Sequence, residues 1–306
     1  MRARLRASTD SRPGAAADAA LLAITLTWGA SFALQKVALR DVGPATFNAF
    51  RFGAAVIVLG ALFWPQLRRA SRDERRAGAL IGVVLGASML LQSYGLALTS
   101  ASVSGFISGL PVVITPLLAV PLLGERPGRP AAAGIVLATA GLALISLTDR
   151  LTLGRGDALV LISSVGFALQ IVLTGRYATR SDPRVLGTMQ SVGALVACLV
   201  AALMFDRLPR TVPPSVAGIV VYLGVVNLGL VWVVQAWAQR HASATRTALV
   251  YTMEPVFAAL FAALLLGEAL SPRATAGALC ILAAMLVSAA GPALGSRWRN
   301  RGRMTA

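Results

Sequence analysis

Glu254 sits about ten residues, or ~15 Å of helix, inside the apolar stretch that opens near Ala244, and Pro255 follows it directly. A carboxylate at that depth in an apolar setting is costly unless it is paired or faces water. Proline withholds a backbone donor and loosens the helix around it. Two roles fit. Glu254 is a protonatable group that touches substrate and couples protons, or it is a structural acid bonded to loosened backbone or paired with Arg51. Arg51 lies ~10 Å beyond Pro44 along its own helix. It can snorkel, join a structural pair or contact an anion. Lys36 stands nearer the end of its run, where snorkelling or a gate role would suit it.

A second group of residues repeats at helical spacing. Trp28, Ser31 and Gln35 share one helix face, as do Ser163, Phe167 and Gln170, and Thr247, Tyr251 and Glu254. Gln92, Asn227, Trp232 and Gln235 also lie within apolar runs. Taken singly, such residues act as interhelical glue. Taken as a set, they predict a water-filled central cavity, because polar groups inside a membrane gather where water reaches. Trp28, Ser31, Gln35, Gln92, Gln170, Asn227, Trp232, Gln235, Tyr251 and Glu254 are therefore the candidate substrate-binding residues. Lys36, Arg51 and Glu254 are the candidate gate or charge pair.

Other chemistries lack their parts. His241 is the single histidine, and Cys198 and Cys280 lie inside apolar runs. No metal site, disulfide or cofactor is expected. Paired carboxylates, or a nucleophile with its base, are not placed for catalysis, so an enzyme is not expected. No phosphate-binding loop of the ATPase type is present. The net charge of +16 comes from short arginine clusters between apolar runs, a pattern that argues against a nucleic-acid partner.

The elements that must position these residues are membrane helices. Only 13% of the 306 residues are charged and 57% are hydrophobic, with a mean hydropathy of +0.74. Ten apolar segments are long enough to cross a bilayer: 18–39, 43–64, 76–98, 101–123, 129–147, 156–175, 184–205, 214–238, 244–266 and 273–291. A cleaved leader is the rival for the first, but its length favours a retained span. Residues 1–17 read as a disordered cytoplasmic tail and 292–306 as a basic cytoplasmic tail. With the N-terminus inside, the outer loops hold only Arg40, Arg150, Arg155, Arg207, Arg210 and Arg273, against twenty arginines in the inner loops and tails. That bias places both termini in the cytoplasm, in the cytoplasmic (inner) membrane.

The chain also repeats itself. "FALQ" occurs at 32–35 and 167–170, an offset of 135. At an offset of 139, Pro44 meets Pro183 and Arg51 meets Gln190; at 143, Gln92 meets Gln235 and "LLGE" (122–125) meets "LLGE" (265–268). The offset grows only at loops. A five-helix unit is therefore present twice, over 18–147 and 153–291. Because five is odd, the two copies are inverted in the membrane, the build of many secondary transporters. The fifth and tenth spans carry small residues (Gly134, Ala138, Gly141; Ala276, Gly277) that suit close packing or a homodimer interface.

"TWGASFALQKVAL", "FNAFRFGAAVIVL", "TSASVSGFISGLPVVITPLLAVPLLGE" and "SATRTALVYTMEPVFAALFAALLLGE" resemble two EamA-type units of the drug/metabolite transporter superfamily. The resemblance covers nearly all of 18–291. It implies ten helices, alternating access, and a cavity built by the first to fourth and sixth to ninth spans. It places Trp28, Lys36, Arg51, Glu254 and Glu268 on family motif positions. The first copy departs from the pattern, with three prolines and no acid to match Glu254. The expected function is movement of a small metabolite, an amino acid or similar, across the bilayer, in the export direction. The alternatives are an importer and a structural or sensory membrane protein.

Overall fold

The computed structural model describes residues 12–29, 31–99, 104, 107–146, 154–206, 211–257, 260–261 and 272–301. Among them the regular structure is helical. The helices are α1 (Arg12–Gly29), α2 (Ser31–Ala38), α3 (Pro44–Leu62), α4 (Trp64–Arg69), α5 (Arg72–Leu98), α6 (Pro111–Leu123) and α7 (Arg129–Ser146). They continue as α8 (Arg155–Ala178), α9 (Pro183–Phe205), α10 (Pro214–Tyr222), a π-helical segment (Leu223–Gly229), α11 (Leu230–Ala238), α12 (Ala244–Tyr251) and α13 (Pro272–Arg301). Helix occurs at each expected span. Pro44–Leu62, Arg72–Leu98, Arg155–Ala178, Pro183–Phe205 and Pro214–Ala238 are by themselves long and apolar enough to cross a membrane. Residues 12–17 belong to α1, and α13 runs into the basic C-terminal segment.

The packing repeats as the sequence does. α1 packs on α11 and α12, and its repeat partner α8 packs on α5 and α6. α3 packs on the π segment, and its partner α9 packs on α5. α3 with α9, α6 with α12 and α7 with α13 each pair an element with its own copy. Exchanging the two halves therefore maps the helix pairs onto themselves. The small faces of α7 and α13 meet inside the chain: a Cβ on Gly141 would lie 2.7 Å from the Gly277 carbonyl. The stripe that raised a homodimer interface is thus filled intramolecularly.

A long seam, α5 against α9, is set by Gly78, Gly82 and Gly86, one per turn on a single face. A Cβ on Gly82 would stand 2.8 Å from the Cα of Gln190, and one on Gly86 2.8 Å from the Cα of Ala194. Backbone therefore meets backbone, the packing that small residues permit in a bilayer, where dispersion replaces the hydrophobic effect. Gly82→Ala is expected to destabilise the protein by about 1–3 kcal/mol through overpacking. Gly60→Ala, which meets nothing within 4 Å, gains helix propensity. Thermal unfolding in detergent should lower the midpoint only for the first.

One carboxylate clasps each end of this seam. Asp206 accepts the Thr46 backbone N–H and the Tyr94 hydroxyl, each at 2.7 Å, which ties α3, α5 and α9. At the opposite end Glu74 accepts the Asp182 N–H at 2.9 Å and the Ser71 N–H at 3.0 Å, and completes a capping box. Those backbone donors, Asp182 first, hold the Glu74 carboxyl below its ordinary 4.5. A depressed folded-state value means stability present above the unfolded value and lost as pH falls through the folded one. Glu74→Gln is expected to lower the unfolding midpoint at pH 7 and to matter less as pH falls through the depressed folded-state value, where the acid becomes protonated in both states.

Two interruptions aim side chains inward. The eighth span passes through the π segment that carries Asn227. The ninth span breaks after Tyr251: Thr252 and Met253 donate to Leu249 and Val250 in a tighter turn, and helix resumes at Glu254–Pro255.

Candidate functional site

A cavity with about 710 Å³ of empty volume lies where those interruptions converge. Trp28, Ser31 and Gln35 enter it from the first span, Arg51 from α3, and Met89 and Gln92 from α5. Ser108, Gly109 and Pro111 close one side. Phe167, Gln170 and Ile171 come from α8, Asn227 and Trp232 from the eighth span, and Ala248, Tyr251 and Glu254 from the ninth. Both halves contribute to one chamber.

Nine of the ten candidate binding residues line this wall. Gln235 stands one layer behind. It is fully buried and exchanges hydrogen bonds with Gln170 (Nε2 to Oε1 3.3 Å) while donating to Gln239 at 3.0 Å. Gln170 in turn donates to Gln190 at 2.8 Å and to Thr174 at 3.1 Å. Lys36 lies in α2, and its side chain falls outside the described residues; so does Glu268.

Arg51 does not snorkel. It is 1% exposed, and its Nη1 donates to Gln35 Oε1 (3.2 Å) and Asn48 Oδ1 (3.3 Å), its Nη2 to Asn227 Oδ1 (3.3 Å). Its guanidinium carbon lies 5.1 Å from the centroid of the Phe47 ring. The expected pair with Glu254 is not formed. Among the described residues the ion pairs are Arg184–Asp182 and Arg246–Asp18. Neutral amide oxygens orient the guanidinium without cancelling its charge, and Nε keeps no partner.

Asn227 is the hub of this wall. The π segment turns its carbonyl toward the first span, where it accepts the Trp28 indole N–H at 3.1 Å. Its side-chain amide donates to the Thr27 carbonyl at 3.0 Å. Short π segments interrupt helices at functional positions because they free a backbone group from the ladder.

An aromatic cluster shares this lining. Trp28 and Tyr251 meet edge-on with centroids 4.9 Å apart, and Trp28 and Trp232 are tilted at 5.8 Å. The Trp232 indole N–H and the Tyr251 hydroxyl are buried without partners. Glu254 is half-buried in the same lining, and no hydrogen bond reaches its carboxylate among the described residues. The chamber therefore offers a fixed cation, a free carboxylate, three rings and two unspent donors.

The profile of the EamA-like transporter family matches residues 15–147 and again 154–290. The chain belongs to the EamA-like transporter family. An uncharacterized transporter of Archaeoglobus fulgidus is 27% identical over 271 residues, which cover 89% of this chain and 85% of that one. A protein named a probable terminal-alkyne amino-acid exporter, from Streptantibioticus cattleyicolor, is 27% identical over 283 residues, or 88% of this chain and 92% of that one. A crystal structure sharing 18% identity superimposes with a TM-score of 0.74 over 90% of this chain and 96% of that one. It shares the fold. The two helical units are thus two EamA repeats, and the protein is a multi-pass membrane transporter. Family and relatives alike point to transport rather than enzyme chemistry. The chamber lies between the EamA repeats, the place where repeat-built transporters hold substrate.

Several EamA-site residues are not evident from their types alone. Met89, Gly109, Ile171 and Ala248 are ordinary span residues that only the fold brings to the chamber. Ser108 binds Gln92, which donates to it at 2.9 Å. Gln190 carried a signal, its alignment with Arg51, and it occupies the matching place: Arg51 bonds Gln35 in the first EamA repeat, and Gln190 bonds Gln170 in the second.

Proposed function

We propose that this EamA transporter exports a small zwitterionic metabolite of the amino-acid type by alternating access. It would do so through ten spans arranged as two inverted repeats in the cytoplasmic membrane, with both termini cytoplasmic. One observation carries the substrate class. The chamber sets Arg51, its charge uncancelled, and Glu254, its carboxylate unbonded, in one wall with an aromatic cluster between the repeats. Arg51 receives the substrate carboxylate through charge-assisted hydrogen bonds. Glu254 receives the ammonium or, in its absence, a proton. Trp28, Trp232 and Tyr251 pack the side chain and attract the cationic centre through their ring faces. The amino-acid exporter named among the relatives supports both the class and the direction. The twenty-to-six arginine bias supports the orientation.

The test compares the media of cells overproducing the intact protein, cells overproducing Glu254→Gln and vector controls, by untargeted mass spectrometry. An amino-acid-like metabolite should accumulate outside only with the intact protein. Identical media in all three cultures would count against export.

A further inference from the structure

A second recess, with about 1070 Å³ of empty volume, lies at one end of the molecule, away from the central chamber. The loop Thr179–Asp182 and the start of α9 form one side. Val233, Val234, Trp237 and Arg240 of the eighth span form the other. Three guanidinium groups, from Arg180, Arg184 and Arg240, meet there against one carboxylate, Asp182.

The three arginines differ in how they are held. Arg240 is fixed, its Nε donating to the Ala178 carbonyl at 2.9 Å and its Nη2 to the Ser181 carbonyl. Arg184 pairs with Asp182 at 2.8 Å. Arg180 is exposed and has no partner among the described residues, so its whole guanidinium is unspent. Below the charges the wall turns apolar. Trp237 is 37% exposed on the outer face of its helix, and its indole N–H is likewise unpartnered among the described residues. Tryptophan in that setting marks the level of lipid headgroups.

We propose that this recess binds an anionic phospholipid, with the phosphodiester on Arg180 and Arg240 and the acyl chains along Val233, Val234 and Trp237. Charge complementarity and an apolar flank continuous with the eighth span favour a lipid over a soluble anion. Basic pockets between membrane helices recognise headgroups in this way. A positive-inside bias alone explains arginines on this rim. It does not explain their convergence above an apolar wall.

Native mass spectrometry of the full chain in detergent tests the proposal, with phosphatidylglycerol and chain-matched phosphatidylcholine as probes. The intact protein should retain phosphatidylglycerol in preference. Arg180→Gln should cut that retention about fivefold, the worth of one basic side chain at a charged membrane surface. The Arg180 side chain makes no hydrogen bond or ion pair among the described residues, so the fold is not at risk, and Arg180→Lys should restore most of the retention. Arg68→Gln with Arg69→Gln removes more charge from exposed positions outside the recess and should leave retention unchanged. An equal loss in that control, or no preference for phosphatidylglycerol, would overturn the site. Competition by free glycerol phosphate at the lipid concentration would overturn the lipid in favour of a soluble phosphoester. Binding is read without transport, so failure here leaves the export reading standing, and failure of that reading leaves this one.

Discussion

Glu254→Gln should abolish substrate movement driven by a pH gradient while substrate-for-substrate exchange survives. The substitution keeps the shape of the side chain and removes its capacity to release a proton. Two features make it a clean experiment. No hydrogen bond reaches the Glu254 carboxylate among the described residues, so no structural partner is orphaned by the change. The turn that presents it is made by backbone, with Thr252 and Met253 bonded to Leu249 and Val250, and does not depend on the carboxylate. Losing a charge-assisted bond to a substrate ammonium costs about 1.5–3 kcal/mol. Half-saturation in exchange should therefore rise about 10- to 150-fold. In reconstituted vesicles, uptake under an imposed pH gradient should fall to the background of empty vesicles. Gradient-driven uptake at the wild-type rate would sink the coupling role. Loss of exchange at every substrate concentration would make Glu254 a structural residue.

The composition of the chamber was legible because a polar residue in an apolar span is expensive and so is placed where it is satisfied. Gln35, Gln92, Gln170, Asn227 and Glu254 all stood out on that ground, and the structure brings them to one wall. What the sequence hides is which neighbour reaches a group first. Arg51 and Glu254 were natural partners as opposite charges, yet Gln35, Asn48 and Asn227 hold the arginine. Asn48 is one turn away on the same helix and could be expected there, but Gln35 and Asn227 come from other spans, and their sequence separations give no hint of the contact. Backbone irregularity divides in the same way. Pro255 announces the break in the ninth span, because it lacks a donor. The π segment LGVVNLG has no proline, and its Asn227 marks a polar position without announcing a change of helix type. The α5–α9 seam is written in Gly78, Gly82 and Gly86, which recur every fourth residue, although that spacing alone does not say which helix they meet.

Arg51→Gln is expected to preserve the fold and lose the substrate, and the repeat itself provides the control. The second EamA unit already has glutamine at the matching position. There Gln190 accepts from Gln170 at 2.8 Å, fully buried, as Arg51 donates to Gln35 in the first unit. A glutamine at 51 can therefore join the amide network of Gln35, Asn48 and Asn227 with neutral partners, and burying a neutral amide costs less than burying a charge. Thermal unfolding should move by no more than about 1 kcal/mol, the scale of one net hydrogen bond. Transport should respond differently. If Arg51 receives the carboxylate, its loss removes a charge-assisted pair worth about 1.5–3 kcal/mol, and half-saturation should rise about 10- to 150-fold. Arg51→Lys should fall between, because an ammonium keeps the charge and loses the planar fork that reaches Gln35, Asn48 and Asn227 together. A decarboxylated substrate analogue should bind the wild type and Arg51→Gln alike, since it offers Arg51 nothing to hold. Parallel losses of stability and exchange in Arg51→Gln would instead show that the guanidinium serves the fold alone, and the zwitterion reading would lose its anionic half.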